Sequence, residues 1–125
     1  MKTLLFLIAS LLLLGSCAKA ELDPIHQPGK SPFQVTFIEL GSVRCIPCIK
    51  MQDVMKEIQR EYRDQVQIVF YDVWTEAGKP YARQYGIRVI PTQVFLDEKG
   101  NEYFRHEGYF PKEELVQVLR QKGVR

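Results

Sequence analysis

Val35-Thr36-Phe37-Ile38-Glu39-Leu40-Gly41-Ser42-Val43-Arg44-Cys45-Ile46-Pro47-Cys48 is the stretch whose pattern decides the fold. Val35 to Leu40 consists of β-formers with apolar side chains on both faces, which is how a strand buried inside a sheet reads. Gly41 to Arg44 supplies a turn. From about Cys45 to Tyr62, Met51, Val54, Met55, Ile58 and Tyr62 recur at three- and four-residue intervals, so a helix follows with that stripe inward. The two cysteines therefore stand where a buried strand gives way to the first turn of a helix.

That location carries chemistry. Unpaired N–H groups and the helix dipole favour negative charge at a helix N-terminus. A thiolate at Cys45 is stabilised there, its pKa falls, and it becomes a nucleophile near neutral pH. Cys48, one turn on, shares the same face and can attack the mixed disulfide that Cys45 forms with a substrate. Pro47 has no N–H to lose in the first turn, and it stiffens the loop that holds both sulfurs. Three other uses of such a pair stay open: half of a zinc site, a copper(I) dithiolate with Met51 or Met55 as a soft ligand, or an inert structural disulfide. No second cysteine pair accompanies this one, His26 and His106 are distant in sequence, and both methionines fit the core stripe. A disulfide loop this short also adds little stability. Redox chemistry is the favoured reading, with no metal and no cofactor beyond the Cys45–Cys48 disulfide.

Downstream, Val66 to Val73 reads as a second strand and Lys79 to Tyr85 as a short helix capped by Gly86. Thr92 to Leu96 and Glu102 to Arg105 flank the turn residues 97–101 as a hairpin. Pro111 to Lys122 reads as a last helix with Leu115, Val118 and Leu119 inward. The order β-α-β-α-β-β-α predicts an α/β fold: a four-stranded mixed sheet with helices on both faces, its first β-α-β a right-handed parallel crossover.

Upstream, residues 17–33 hold Pro24, Pro28, Gly29, Ser31 and Pro32 without a sustained period, so they read as a tether to a domain at 34–125. Residues 1–16 read as a signal peptide, with Lys2 ahead of an apolar run from Leu4 to Leu14 that is too short to span a bilayer. Leu14-Gly15-Ser16-Cys17 resembles a bacterial lipobox, in which Cys17 would be lipidated; Ala18-Lys19-Ala20 offers the rival pattern of ordinary cleavage. The lipobox is favoured because Cys17 directly follows the apolar run. The expectation is a lipoprotein on the periplasmic side, held to a membrane by its N-terminal lipid. Ala18 after the cysteine leans, by analogy with lipoprotein sorting, towards the outer membrane. Ordinary cleavage would leave a soluble periplasmic protein.

The length of 125 residues suits one domain. Without residues 1–16 one basic residue is lost from 17, so 16 basic against 15 acidic residues leave a charge of +1. Near neutrality, with scattered basic residues, this argues against nucleic acid as a partner, and a monomer is expected.

From Val35 to Lys122 the chain resembles the thioredoxin superfamily. The resemblance is carried by the strand before the motif, by Cys45-Ile46-Pro47-Cys48, by Tyr85-Gly86-Ile87-Arg88-Val89-Ile90-Pro91-Thr92, and by Gly108 before the last helix. It implies a cis Ile90–Pro91 bond facing the active site, an Ile90 backbone that pairs with extended substrate, and a groove formed by Ile46, Pro47, Ile90, Pro91 and Gly108. The plain alternative is a trans proline opening a strand. Glu39 stands six residues before Cys45, where thioredoxins carry a buried aspartate. A carboxylate between Ile38 and Leu40 is costly to bury, and burial raises its pKa. The resemblance thus assigns Glu39 as acceptor of the Cys48 proton; a frayed strand end, with Glu39 in water, is the alternative.

Three features depart from thioredoxin. Arg44 rather than tryptophan precedes the first cysteine, and Ile46 replaces glycine between the cysteines. Residues 74–78 lengthen a connection that could border the site through Trp74. Arg44 would lower the Cys45 pKa, bind acidic substrates, or simply be solvated, while His106 reads as a strand-end or surface residue. The function implied is a protein-disulfide reductase acting on thiols and disulfides of exported proteins, with electrons from a transmembrane thiol carrier. Pro47 looks more like the reducing members than the oxidising ones. A thiol oxidase or isomerase, and a copper(I) chaperone on the same fold, are the rivals.

Overall fold

The computed structural model describes residues 31–125. The expected signal peptide, Cys17 and residues 18–30 of the tether lie outside the described residues. Within them the chain forms β1 (Val35–Gly41), α1 (Ile46–Tyr62), β2 (Val66–Asp72), α2 (Lys79–Gln84), β3 (Thr92–Asp97), β4 (Glu102–Glu107) and α3 (Lys112–Arg120). The sheet order is β2-β1-β3-β4, with β1 parallel to β2 and antiparallel to β3, and β3 antiparallel to β4. This is the mixed four-stranded sheet that the residue pattern predicts.

All seven residues of β1 are buried, as its two apolar faces require. Phe37 and Phe95 point to the face covered by α1 and α3, where Met51, Val54, Met55, Ile58, Leu115, Val116, Val118 and Leu119 complete the larger core. Phe37 and Phe95 stack with centroids 4.9 Å apart, and Phe104 and Phe110 meet Phe95 edge-on. Ile38, Leu40, Val94 and Leu96 point the other way, onto Val73, Tyr85 and the partly buried Tyr81, Ala82 and Ile87 at and around α2. Helices therefore cover both faces.

The boundaries differ from the sequence reading where backbone pairing or a cap decides. Cys45 has an extended backbone (φ −99°, ψ 124°) and is the N-cap of α1, so the helix itself starts at Ile46. β4 continues to Glu107 because its ladder with β3 persists through Gln93–His106 and Thr92–Glu107, and β3 continues to Asp97 because that residue pairs with Val35 of β1. Pro111 is extended and caps α3, which begins one residue later and stops at Arg120. Ser31 N–H donates to Glu98 O at 2.8 Å, so the chain is already attached to the hairpin turn before β1 begins.

Candidate active site

The C-terminal ends of β1, β2 and β4 and the N-terminal end of β3 meet at one edge of the sheet, and the cysteines lie there. Cys45 and Cys48 form a disulfide with their Cα atoms 5.2 Å apart. Cys45 at the N-cap has no side-chain cap, and the first turn of α1 holds Pro47 and no acidic residue. The positive end of the helix thus faces the sulfur of Cys45 without competition. The two sulfurs differ in access: Cys45 keeps 9% exposure, and Cys48 has none. An incoming partner can reach only the first.

Cys48 packs against β1 at Gly41. A Cβ at Gly41 would sit 3.2 Å from both Cβ and Sγ of Cys48 and 3.5 Å from Glu39 Oε1. A side chain at Gly41 would press on Cys48, and Glu39 and Cys48 flank that one small space. Glu39 is fully buried, and neither carboxyl oxygen finds a hydrogen-bond partner. Burial pushes its pKa up to about 8 from an ordinary value of 4.5, with the neighbouring Gln93 amide pulling the other way. The strand end is not frayed: β1 stays paired with β2 through Gly41 and with β3 through Leu40. A carboxyl raised to about 8 thus lies across that one small space from the buried sulfur of Cys48.

The Ile90–Pro91 bond is cis. Pro91 O accepts the Gly108 N–H at 2.8 Å, which joins the two backbone segments expected to line the groove. Gly108 takes φ +92°, in the left-handed region, with open space around it. Arg88, just before the cis bond, makes a bidentate pair with Glu107 at 3.0 and 2.7 Å, which ties this loop to the end of β4.

The departures from thioredoxin also converge here. The Arg44 guanidinium lies over the Trp74 ring, 5.5 Å from its centroid. Asp72, the last residue of β2, holds the two loops together: Oδ2 accepts from Ser42 Oγ (3.4 Å) and Val43 N–H (3.3 Å), and Oδ1 from Trp74 N–H (3.0 Å). Ser42 in turn accepts the Arg44 N–H at 3.2 Å. Gly78 packs on the Asp72 carbonyl, where any Cβ would overlap it. Val43, Ile46, Ile49, Trp74, Val89 and Tyr109, the exposed large apolar side chains among the described residues, all lie in segments at this end. Met51 accepts the Phe110 N–H on its sulfur at 3.2 Å and faces the core. His106 is half-buried and stacks on Phe110, with centroids 4.1 Å apart.

Ser42, Asp72 and Gln93 are the site residues that sequence reasoning missed. Gln93 comes just before the apolar run from Val94 to Leu96, two positions after Pro91, and nothing local in the sequence marks it as buried.

Residues 19–123 match the sequence model of the thioredoxin-like domain family. Thioredoxin 1 of Synechococcus elongatus is 37% identical over 75 residues, covering 60% of this chain and 67% of that protein. A thioredoxin-like protein of Synechocystis sp. is 33% identical over 83 residues, covering 66% of this chain and 76% of its own length. The chloroplastic thioredoxin-like protein HCF164 of Arabidopsis thaliana is 28% identical over 82 residues; they cover 66% of this chain and only 31% of that protein, so the chain spans about a third of that relative. Among solved structures, thioredoxin-2 of the malaria parasite superposes with a TM-score of 0.67 at 17% identity, over 76% of this chain and 96% of that one. At that identity the likeness speaks for the fold.

Proposed function

The chain belongs to the thioredoxin-like family, and from that premise we propose that it is a thiol–disulfide oxidoreductase that reduces disulfides of exported proteins. One observation carries the chemistry. A disulfide at a helix N-terminus offers one reachable sulfur and seals the other beside a buried carboxyl. In the reduced protein the Cys45 thiolate attacks a substrate disulfide, and one substrate thiolate leaves. Cys48 then passes its proton to the Glu39 carboxylate and attacks Cys45 Sγ. The bond between Cys45 and the substrate breaks, its electron pair leaves on the substrate sulfur, and the Cys45–Cys48 disulfide re-forms. Each turnover consumes two electrons, which an upstream dithiol must return; a transmembrane thiol carrier suits a protein that works outside the cytoplasm.

The direction of electron flow rests on Pro47, which resembles the reducing members of the family. Equilibrating the chain against dithiothreitol or glutathione tests it. A two-electron transition near about −270 mV supports a reductant, whereas one near about −120 mV reverses the flow and makes the protein an oxidase. No reversible transition at all would overturn the oxidoreductase reading.

The cellular address rests on the N-terminal sequence. Among the described residues no helix is long and apolar enough to cross a membrane. We place the protein on the periplasmic side, anchored through a lipid on Cys17. Replacing Cys17 with serine should then move it from the membrane fraction to the soluble one, and an unchanged distribution would count against lipidation.

A further inference from the structure

Glu39, Gln93 and His106 stand directly opposite one another on β1, β3 and β4. Their side chains share one face of the sheet, two positions along each strand from the aromatic row Phe37, Phe95 and Phe104. Glu39 and Gln93 are both fully buried. An ionised carboxylate only accepts hydrogen bonds, whereas a primary amide carries two N–H donors and one acceptor oxygen. Gln93 Nε2 gives one N–H to Gly108 O at 3.1 Å, and Gly108 gives its own N–H to Pro91 O at 2.8 Å. That leaves Gln93 one donor, on the residue directly opposite a carboxyl whose two oxygens have no partner. Gln93 Oε1 is buried and has no partner either.

We propose that Gln93 is a positioning residue that joins the groove-lining backbone at Gly108 and Pro91 to the proton acceptor: one amide N–H stays on Gly108 O while the other serves the Glu39 carboxylate. The inference rests on the reading of Glu39 as acceptor of the Cys48 proton. Before resolution the second N–H supports the ionised carboxyl. Once the carboxyl holds the proton, its new O–H has Gln93 Oε1 within the same amide as an acceptor. A single side chain thus meets the needs of both protonation states and depends on the carbonyl of Gly108 to hold it in place. The downward pull of Gln93 on the Glu39 pKa agrees with a donor directed at the carboxylate. The other groups facing this row are Cys48 from α1 and His106 beyond Gln93 on β4; β2 contributes only Phe70, which does not titrate.

The test is Gln93→Met in the full chain, which keeps the side-chain length and removes both N–H groups. The Glu39 titration is followed by carbon NMR of the side-chain carboxyl in the oxidised protein. The resolving step is followed by single-turnover release of substrate thiol as a function of pH. Glu39 should titrate at higher pH in the variant, and resolution at pH 7 should slow by about three- to tenfold, a tenfold change matching one pKa unit. The rate should recover at higher pH, while the first attack by Cys45 stays unchanged. Gln93→Asn, whose amide is too short to reach both partners, should shift Glu39 the same way if the methionine variant folds poorly. A Glu39 titration that stays put or moves down overturns the proposal, as does uniform slowing with an unmoved pH profile. Glu39→Gln in the same assay separates the two layers. If it leaves resolution unchanged, the acceptor reading itself fails. If it slows resolution while Gln93→Met moves nothing, only the role of Gln93 falls.

Discussion

A carboxyl with no hydrogen-bond partner in a strand buried on both faces makes the protein's stability depend on pH. Glu39 ordinarily titrates near 4.5 and is pushed up to about 8 by burial, so the folded chain holds its proton where the unfolded chain has released it. Stability is therefore greatest below pH 4.5 as far as this group is concerned, and it falls as the pH rises towards 8. The full difference is on the order of 4–5 kcal/mol at about 1.4 kcal/mol per unit, and most of it has accumulated by pH 7. Glu39→Gln removes the titration. Between pH 5 and 8 the oxidised variant should gain thermal stability relative to the wild type, measured as a difference in midpoint that grows with pH. A constant difference would mean that Glu39 is solvated. The residue could be picked out from sequence because one carboxylate interrupts an apolar strand. Gln93 could not, because its meaning depends on standing opposite Glu39, and strand register emerges only when the sheet assembles.

Among the elements, β1 and α1 were the most legible, since a run apolar on both faces and a 3.6-residue stripe each leave one solution. The helix ends were less so, because capping by Cys45 and Pro111 depends on backbone angles that periodicity does not encode. Least legible were the connections. The segment after β2 reads only as a lengthened connection, yet Asp72, Thr75 and Gly78 fold it tightly: Thr75 Oγ1 donates to Asp72 O at 2.7 Å and accepts the Gly78 N–H at 3.0 Å. Asp72 also binds the loop before α1, so the terminal residue of β2 positions both Arg44 and Trp74. Asp72→Ala deprives Val43 N–H, Trp74 N–H and Ser42 of their acceptor and should cost about 1–3 kcal/mol in urea unfolding. The emission of Trp74, the chain's single tryptophan, should shift as its contact with Arg44 loosens. Unfolding free energy and emission both left unchanged would show that the loops hold their shape without the carboxylate.

For the molecule as a whole, the general plan was present in the order of elements, while the polarity of its surface was not. Exposed apolar side chains gather at the end of the sheet that carries the disulfide, from five different segments of chain, and no local window of sequence reveals that they meet. On the function proposed above, this surface would receive an extended polypeptide with apolar side chains, and the near-neutral charge of the domain would give it little long-range steering. The unequal access of the two sulfurs then has a practical result. With Cys48 replaced by serine, a client joined to Cys45 would meet no internal thiol able to release it, and the shielded pocket around the junction would slow any thiol from outside. The protein becomes a hook that keeps its catch, and the polypeptides pulled out on it would name its clients.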